Sequence, residues 1–400
     1  MKSVVITSAL RTAIGRLGGG LSTVLPEDLS SAVLRAVMED AGLQERQSLI
    51  DEVIIGQTKQ STDAPNIARV AGLKAGIPEE VPAYTVHRQC ASGLQAVLSG
   101  VWQIQAGYGE LILAGGVESM STAPYYIRNI RFGLGSGNGE VLDPNTESQP
   151  KSQPEEIYGS FTMGQTAENL AEKYQISRED QDLFAYQSQQ KAIKAIDTGL
   201  FRQEIIPVTV KKKKEQVIFA EDEHPRRDTT LEKLASLKPV FKAGGTVTAG
   251  NSSGRNDGAA AVALMSEEMA GKLGLTPLAR FVSAGIAGVD PRFMGIGPVP
   301  ATEKALRKAG LQLKDIGLVE INEAFAAQTL AVIRELDLDA ETVNVNGGAI
   351  ALGHPLGCSG TRILVTLLHE MARRKVKYGL ATICVAGGLG VSVIVENLTL

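Results

Sequence analysis

The sequence predicts an α/β protein made of two repeated β/α halves, with a segment of different composition inserted between them. Short apolar runs of strand length alternate with amphipathic helix-like segments, which favours mainly parallel sheets covered by helices. The tetrapeptide Ala-Gly-Leu-Gln occurs at 41–44 and again 268 residues later, at 309–312. The pair Ser92-Gly93 recurs 267 residues later as Ser359-Gly360. Features that recur in one order at nearly one offset indicate an internal duplication.

The same succession of elements is expected in each half. A helix with one apolar face has Pro26 near its start and Gly42 at its end, the residues usual at those positions, and its counterpart is predicted at 302–309. In both halves a short strand follows, then a helix opened by the Ser-Gly pair, then a strand that ends in Gly-Gly. The predicted elements of the first half are strands at 53–55 and 82–86, a helix at 93–105 and a strand ending at 115–116; those of the second half are a strand at 318–321, a helix from 359 and a strand ending at 387–388.

The predicted boundaries divide the chain into three parts. The first half covers 1–121 and continues in 249–275, the inserted segment covers 122–248, and the second half covers 276–400. This division follows the extent of the repeat and the change of composition between its copies.

The inserted segment combines polar loops with helices. Residues 145–156 are polar and contain proline, which predicts a loop, and helices are predicted at 165–174 and 178–197. The run from Lys211 to Lys214 could contact a polyanionic ligand. A solvated loop or an edge strand is the favoured interpretation of that run.

Composition predicts a cytoplasmic enzyme. Hydrophobic residues make up 44% and charged residues 21% of the 400 residues, and the net charge of −4 gives no reason to expect binding to nucleic acid or an anionic membrane. Three cysteines without a CxxC pair, and only four histidines, argue against disulfides and a metal site and for a reducing compartment. The N-terminus lacks the apolar region of a signal peptide, and glycines interrupt the longest apolar stretch, 381–395.

Cys90 lies on the predicted turn between the strand at 82–86 and the helix at 93–105. The partial positive charge at a helix N-terminus stabilises a thiolate, so a cysteine there is suited to nucleophilic attack. A free cysteine is also commonly buried and unreactive. Taken alone, Cys90 leaves both interpretations open.

His354 lies in the segment 344–357, which is rich in glycine and contains no charged residue. Glycines allow tight turns and close approach of the backbone to a ligand, so a histidine here is predicted to take a proton from a thiol. A lone histidine elsewhere would more often be structural. Cys384 ends an apolar strand and precedes small residues, whose N–H groups could bind an oxyanion; by itself this signal is weak.

Several segments together resemble the motifs of the thiolase family, in the family's order and over nearly the whole chain. They are Arg-Gln-Cys-Ala-Ser-Gly-Leu-Gln-Ala-Val around Cys90, Thr-Ala-Gly-Asn-Ser-Ser-Gly from Thr248 with Asn-Asp-Gly at 256–258, Met-Gly-Ile-Gly-Pro from Met294, Asn-Glu-Ala-Phe-Ala from Asn322, Gly-His-Pro-Leu-Gly from Gly353, and the segment containing Cys384. The resemblance implies a thiolase-like fold, in which two repeated halves form a layered α-β-α-β-α core. It also implies that the inserted loop domain binds coenzyme A.

The resemblance implies a mechanism based on an acylated cysteine. Cys90 would attack an acyl-CoA and carry the acyl group, and His354 would activate it. Cys384 would take a proton from the α-carbon of acetyl-CoA. Asn322, through a water, and His354 would hold the thioester oxygen of the second substrate, and the backbone N–H groups of Cys90 and Ala386 would hold the oxygen of the acyl-enzyme. No metal and no cofactor are expected beyond coenzyme A thioesters as substrates.

The resemblance also supplies substrate-binding residues. Ser253 matches a position that contacts the pantetheine arm, and Arg226 matches one near the nucleotide, although a solvent-exposed charge is an equal alternative for Arg226. Met163, Met294 and Phe325 match positions around the acyl group, and core packing is the commoner role of methionine. Acetyl-CoA, acetoacetyl-CoA or another 3-ketoacyl-CoA, and CoA are the expected partners. Family members form homodimers or homotetramers.

Four positions depart from the family pattern. His87 stands where the family usually has Asn; it either tunes Cys90 or, as we favour, takes over the hydrogen bonds of that Asn. Ala386 replaces a glycine, which requires a backbone that an alanine tolerates. Thr162 stands where acetoacetyl-type members often have His. Cys358 is the repeat counterpart of the Cys90 turn and is interpreted as structural.

The leading hypothesis is an acetyl-CoA acetyltransferase of lipid metabolism. A degradative 3-ketoacyl-CoA thiolase for longer chains, acting in fatty acid β-oxidation, is the alternative within the family. A decarboxylating ketoacyl synthase lacks a second catalytic cysteine, so Cys384 argues against that class. A non-catalytic acyl-CoA-binding protein of the same fold need not retain both cysteines and the histidine.

Overall fold

The computed structural model describes residues 2–212 and 215–400. The strands are β1 Val4–Thr12, β2 Gly15–Arg16, β3 Glu52–Gly56, β4 Ala83–Val86, β5 Leu111–Ser119, β6 Ile205–Ile206, β7 Val208–Lys212, β8 Glu215–Phe219, β9 Asn256–Ser266, β10 Ala279–Gly288, β11 Leu318–Ile321, β12 Tyr378–Val385 and β13 Leu389–Asn397. The helices are α1 Pro26–Asp40, α2 Ile67–Ala75, α3 Ser92–Ala106, α4 Pro144–Glu147, α5 Glu155–Tyr158, α6 Met163–Lys173, α7 Arg178–Asp197, α8 Leu231–Ala235, α9 Glu267–Leu273, α10 Pro298–Ala309, α11 Ala326–Leu336, α12 Ala349–Leu352 and α13 Leu356–Arg374. Among the described residues, no helix combines the length and apolarity needed to cross a membrane.

The two halves repeat one topology. The first half orders its strands β4-β3-β5-β9-β1, and the second orders its strands β11-β12-β13-β10. In each half a parallel pair (β3–β5, β11–β12) is followed by two antiparallel pairs (β5–β9 and β9–β1, β12–β13 and β13–β10). Val343, which bridges Val319 of β11 in parallel, takes the place of β4 in the second half. The repeat predicted from the Ala-Gly-Leu-Gln and Ser-Gly pairs is therefore confirmed.

Five layers build the core, as the family resemblance implied. Helices α1 and α2 cover the outer face of the first sheet, and α10 and α11 cover the outer face of the second. Helices α3 and α13 lie between the two sheets and share one continuous apolar cluster with both. The sheets also join edge to edge where β1 pairs with β10 at Val5–Arg280 and Ile6–Ala279.

The inserted segment contains α4 to α8 and the hairpin β7–β8. The helices predicted at 165–174 and 178–197 are confirmed as α6 and α7. The prediction of a loop at 145–156 is wrong in part, because α4 and α5 form there. The prolines here lie at helix starts. Pro154 is the N-cap of α5, and Pro144, just before the stretch, is the first residue of α4, after an N-cap Asp143 whose side chain accepts the N–H of Asn145.

The lysine run lies at the end of the hairpin. Lys211 and Lys212 end β7, which among the described residues pairs with β8 alone, in agreement with the favoured edge-strand interpretation. Lys213 and Lys214 fall outside the described residues. The domain boundaries at 121, 248 and 275 stay predictions.

Two glycines allow α3 and α13 to cross closely. A Cβ at Gly93 would lie 2.6 Å from Oγ1 of Thr361, and a Cβ at Gly360 would lie 2.6 Å from the backbone nitrogen of Leu94. The contact is reciprocal, because residues 93 and 94 are the repeat counterparts of 360 and 361. The Ser-Gly pair of the repeat therefore marks the place where the two central helices touch.

Gly93→Ala is expected to lower the free energy of unfolding by about 1–3 kcal/mol, because the added methyl group over-packs this crossing. Gly271→Ala is the matched control: Gly271 lies on exposed helix α9, where a Cβ would meet nothing within 4 Å. Its stability should stay the same or rise by about 0.4–1 kcal/mol. Urea unfolding followed by circular dichroism measures both, and equal stabilities would contradict the close crossing.

Candidate active site

Cys90 lies on the turn between β4 and the first residue of α3, as predicted. Gln89 before it has a left-handed backbone, with φ of +45°, which is costly for a residue with a side chain. The turn is held by Ser92, whose backbone N–H and hydroxyl both donate to the carbonyl of Gln89, at 2.9 and 2.6 Å. The hydroxyl also accepts the N–H of Arg88 at 2.8 Å. Cys90 itself is half-buried at the wall of a cleft.

His354 precedes Pro355, the N-cap of α13, in the second half. Its backbone N–H donates to Oδ1 of Asn256 at 2.9 Å, and the Asn256 amide donates to the carbonyl of Gly15 at 2.9 Å. Gly353 is needed here, because its φ is +105° and a Cβ would lie 2.4 Å from the Asn256 side chain. Asn256 therefore fixes the histidine of the second half to the backbone of the first half.

Hydrogen bonds define the tautomer of His354. Ser359 donates its hydroxyl proton to the carbonyl of Pro355 at 2.9 Å, so its oxygen is free to accept a proton from Nδ1 of His354, 2.6 Å away. Nε2 then carries the lone pair, and Nδ2 of Asn322 lies 3.4 Å from it as a donor. Burial, followed by the positive charge of Arg362, lowers the pKa of His354 to about 3, which keeps the imidazole neutral.

Cys384 and Ala386 come from the end of β12. Cys384 is 1% exposed, and burial, together with the neighbouring Cys90, raises the pKa of its thiol far above its usual range. The turn after it takes positive φ at Gly387 and Gly388, whereas Ala386 is absent from the positive-φ residues of the described chain. Alanine is thus tolerated at 386, and its N–H remains available.

The backbone N–H of Ala386 acts on the thiol of Cys90. Burial raises the pKa of Cys90, and the N–H groups of Ala386 and of Cys90 itself act in the opposite direction, as does the ammonium of Lys59. Two backbone N–H groups thus lie close enough to Cys90 to lower the pKa of its thiol. Donors in this position suit an oxyanion formed on an acyl carbon bound to that sulfur.

One cleft of about 940 Å³, open mouth included, joins these groups. Cys90, His354, Cys384 and Ala386 all line it. Its other wall is mostly apolar, and Phe241 packs edge-on against Phe325 with ring centroids 6.0 Å apart. The remaining predicted substrate-binding residues in the wall are Ser253, Met163, Met294 and Phe325.

Two family models match the chain. The thiolase N-terminal domain matches residues 4–268, and the thiolase C-terminal domain matches residues 275–397. It is 53% identical to an acetyl-CoA acetyltransferase of Pseudomonas aeruginosa, with 98% of each chain covered. The chain belongs to the thiolase family.

Solved structures agree with this assignment. The crystal structure of the Bacillus anthracis acetyl-CoA acetyltransferase has a TM-score of 0.96 at 50% identity, with 100% of this chain and 99% of that one covered. Human mitochondrial 3-ketoacyl-CoA thiolase in complex with CoA has a TM-score of 0.92 at 47% identity, covering 99% of this chain and 98% of that one.

Two predicted residues of this thiolase lie off the cleft wall. Asn322 is fully buried behind His354, and its Oδ1 has no hydrogen-bond partner in the described part of the chain. Arg226 lines a smaller neighbouring pocket that shares Ser252 and Gly254 with the cleft. The role of Arg226 near the nucleotide stays a prediction.

The residues that depart from the family pattern lie in different parts of the structure. The His87 side chain is exposed on the far side of the Cys90 turn and makes no hydrogen bond within the described residues, so the expected replacement of the Asn interactions is not seen. Thr162 is the N-cap of α6, in a capping box with Gln165. Cys358 is 1% exposed in the core, and burial raises the pKa of its thiol to about 12.

Sequence reasoning missed several residues of the site. Ser359 could have been found, because it is the repeat counterpart of Ser92 and lies in the first turn of the second central helix, which begins at Leu356 and not at the predicted residue 359. Phe241 lies in an irregular segment and carried no signal. Asn145 and Gln149, which give the cleft a polar strip, lay in the stretch predicted as a loop. Within residues 2–212 and 215–400, His, Cys, Asp and Glu side chains form no group of three placed to hold a metal.

The free energy of unfolding should fall as the pH drops from about 6.5 towards 3, partly through His354. The unfolded chain takes up a proton on this histidine near pH 6.5, whereas the folded chain, with a pKa of about 3, does not. His354→Asn removes this contribution, so its curve of stability against pH should be flatter than that of the parent protein. Urea unfolding at pH 4 to 7 measures both curves.

His224, whose pKa burial lowers to about 4, contributes in the same pH range, but it does so equally in both proteins. The difference between the two curves therefore reports on His354 alone. Parallel curves would contradict a neutral, buried imidazole at this position.

Proposed function

We propose that this chain is an acetyl-CoA C-acyltransferase that condenses two molecules of acetyl-CoA to acetoacetyl-CoA and CoA, and that also catalyses the reverse reaction. One observation carries the proposal: two thiols, Cys90 and Cys384, face one cleft together with the neutral imidazole of His354. A single acyl transfer needs one nucleophile, whereas the formation of a carbon–carbon bond also needs a base for the α-carbon.

In the first half-reaction, Nε2 of His354 takes the thiol proton of Cys90, and the sulfur attacks the carbonyl carbon of acetyl-CoA. The oxyanion of the tetrahedral intermediate accepts the N–H groups of Cys90 and Ala386. When the carbon–sulfur bond to CoA breaks, the imidazolium returns its proton to the departing thiolate. The acetyl group remains on Cys90 as a thioester.

In the second half-reaction, Cys384 gives its thiol proton to Nε2 of His354, and the resulting thiolate takes a proton from the α-carbon of a second acetyl-CoA. Nδ2 of Asn322 lies 3.4 Å from Nε2 of His354. The protonated Nε2 and, through a water, Asn322 would donate to the enolate oxygen. The carbanion attacks the acetyl carbon on Cys90, the thioester bond breaks, and acetoacetyl-CoA leaves. The Cys90 thiolate then recovers the proton held by His354, and Cys384 keeps the proton of the α-carbon, so the enzyme returns to its starting state.

The electrostatics of the two sulfurs favour this order of steps. Negative charge on Cys90 raises the pKa of Cys384, so both sulfurs are not ionised together. Acetylation removes that charge from Cys90. The thiolate of Cys384 therefore forms more easily once Cys90 carries the acetyl group.

Substrate binding is assigned from the cleft and from relatives. Ser253, which lines the cleft, and Arg226, which lines the neighbouring pocket, would hold the CoA part together with the inserted segment, and one human relative was solved in complex with CoA. Met163, Met294 and Phe325, which pack in one apolar cluster at the cleft, would surround the acyl group. The similarity to a human 3-ketoacyl-CoA thiolase keeps longer 3-ketoacyl-CoA substrates, and hence a role in fatty acid metabolism, as the second candidate.

The remaining assignments belong to the same proposal. The reaction needs no metal and no cofactor, because proton transfer and thioester exchange suffice. A cytoplasmic location is supported by the two facing thiols, which must stay reduced to work. A homodimer or homotetramer, without nucleic acid or membrane partners, is proposed from the family resemblance.

Cys384→Ala should separate the two half-reactions. The variant retains Cys90, His354 and the N–H groups that hold the acyl-enzyme, so incubation with acetyl-CoA should add one acetyl group to Cys90. It lacks the base for the α-carbon, so formation of acetoacetyl-CoA should fall at least about a hundredfold. Intact-protein mass spectrometry, peptide mapping and a coupled condensation assay measure these outcomes.

Cys358→Ala is the matched control, because it removes the third thiol from the core outside the cleft. It should retain both acetylation and condensation. Failure of the parent protein to become acetylated on Cys90 would favour a non-catalytic binding protein. Full condensation activity in Cys384→Ala would remove Cys384 from the mechanism.

A further inference from the structure

Lys59 is a buried lysine beside the nucleophile that the mechanism above does not use. It follows β3 and is 8% exposed. Its ammonium donates to the carbonyl of Pro144 at 2.9 Å and to the hydroxyl of Ser148. Ser148 lines the catalytic cleft together with Cys90, so only one side chain separates the ammonium from the cleft.

The charge of Lys59 has no ion pair among the described residues. The carboxylate of Glu118 lies nearby, but it is occupied by neutral donors: the N–H groups of Thr58, Lys59 and Gly357 and the hydroxyl of Thr58. An ammonium that is buried without a direct ion pair is costly, since neutral acceptors and a carboxylate at longer range replace only part of its hydration. Such a charge is stabilised when a negative charge forms within its reach.

Cys90 is the group close by that can acquire this negative charge, because β3 ends against the Cys90 turn: Gln57 donates its N–H to the carbonyl of Val86 at 3.1 Å, and a Cβ at Gly56 would lie 2.2 Å from the carbonyl carbon of Ser92. Burial raises the pKa of Cys90, whereas the Ala386 N–H and then the Lys59 ammonium lower it. Burial lowers the pKa of Lys59, whereas the charges of Glu118 and then of Cys90 raise it. Attack on a thioester requires the thiolate of Cys90, which burial disfavours.

We propose that Lys59 is a positioning residue whose ammonium, held by Pro144 and Ser148, stabilises the thiolate of Cys90. The inference rests on the proposed function, because only a nucleophilic Cys90 needs the thiolate. It assigns the segment after β3 to the active site, although that segment touches no substrate in the mechanism above.

The other charged and titratable groups around the pair do not replace Lys59. Glu118 opposes ionisation of Cys90, and Cys384 and His354 are neutral in the free enzyme. Arg255 lines the same cleft, but its guanidinium lies 3.7 Å from the carboxylate of Asp143. Lys59 is therefore the cation with the most direct effect on Cys90 in the described structure.

The test is the pH dependence of Cys90 alkylation by iodoacetamide, followed by peptide mass spectrometry so that the three cysteines are read separately. Lys59→Met keeps the length and bulk of the side chain and removes its charge. The midpoint for Cys90 should rise by about one pH unit, so that alkylation at pH 7 is about tenfold slower. Lys59→Arg, which keeps the charge, should stay close to the parent protein.

Lys151→Met is the matched control. Lys151 is exposed in the outer pocket that Lys59 also lines, and it pairs with Glu155, so its removal changes the net charge equally. Its alkylation midpoint should not move. If Lys59→Met does not fold, Lys59→Gln, which can still donate to Pro144, provides the same comparison.

An unchanged midpoint in the neutral Lys59 variants, or an equal shift in Lys151→Met, would overturn the proposal. Alkylation requires no turnover, so this result is independent of the proposed reaction. If the parent protein is acetylated on Cys90 but the alkylation midpoint does not change in the neutral Lys59 variants, only the proposed role of Lys59 is wrong. If the parent protein is not acetylated, the proposed function is wrong.

Discussion

The active site depends on the close crossing of α3 and α13. Each helix begins next to a reactive side chain, Cys90 in one half and His354 in the other. Because Gly93 and Gly360 lack side chains, the starts of the two helices approach until each glycine meets the backbone or side chain of its neighbour. Any larger residue would move the helix starts apart, and with them the sulfur and the imidazole. Packing at the centre of the molecule thus fixes the geometry of the chemistry.

Burial creates the second constraint, because it works against ionisation. It raises the pKa of both cleft thiols and lowers that of His354. A neutral imidazole suits a general base, but a protonated thiol does not suit a nucleophile. The N–H groups of Ala386 and Cys90, together with the charge of Lys59, partly offset this cost. The site therefore excludes water while it retains fixed donors where negative charge forms.

Local patterns and repeated motifs in the sequence predict much of the fold and part of the active site. The Ser-Gly pairs and the alternation of strands and helices predicted the two halves, and the turn position of Cys90 followed from its flanking elements. The roles of Phe241 and Lys59 could not be predicted, because each depends on contacts between segments far apart in the chain. The helices around 145–156 were missed, because a proline that starts a helix has the same signature as one that interrupts it.

A crystal structure of the protein with an acetyl group on Cys90 tests the central claim most directly. The acetyl oxygen should accept hydrogen bonds from the backbone N–H groups of Cys90 and Ala386, with the sulfur of Cys384 and Nε2 of His354 facing the same space. An acetyl oxygen directed away from both N–H groups, or a Cys384 sulfur out of reach of that space, would contradict the account.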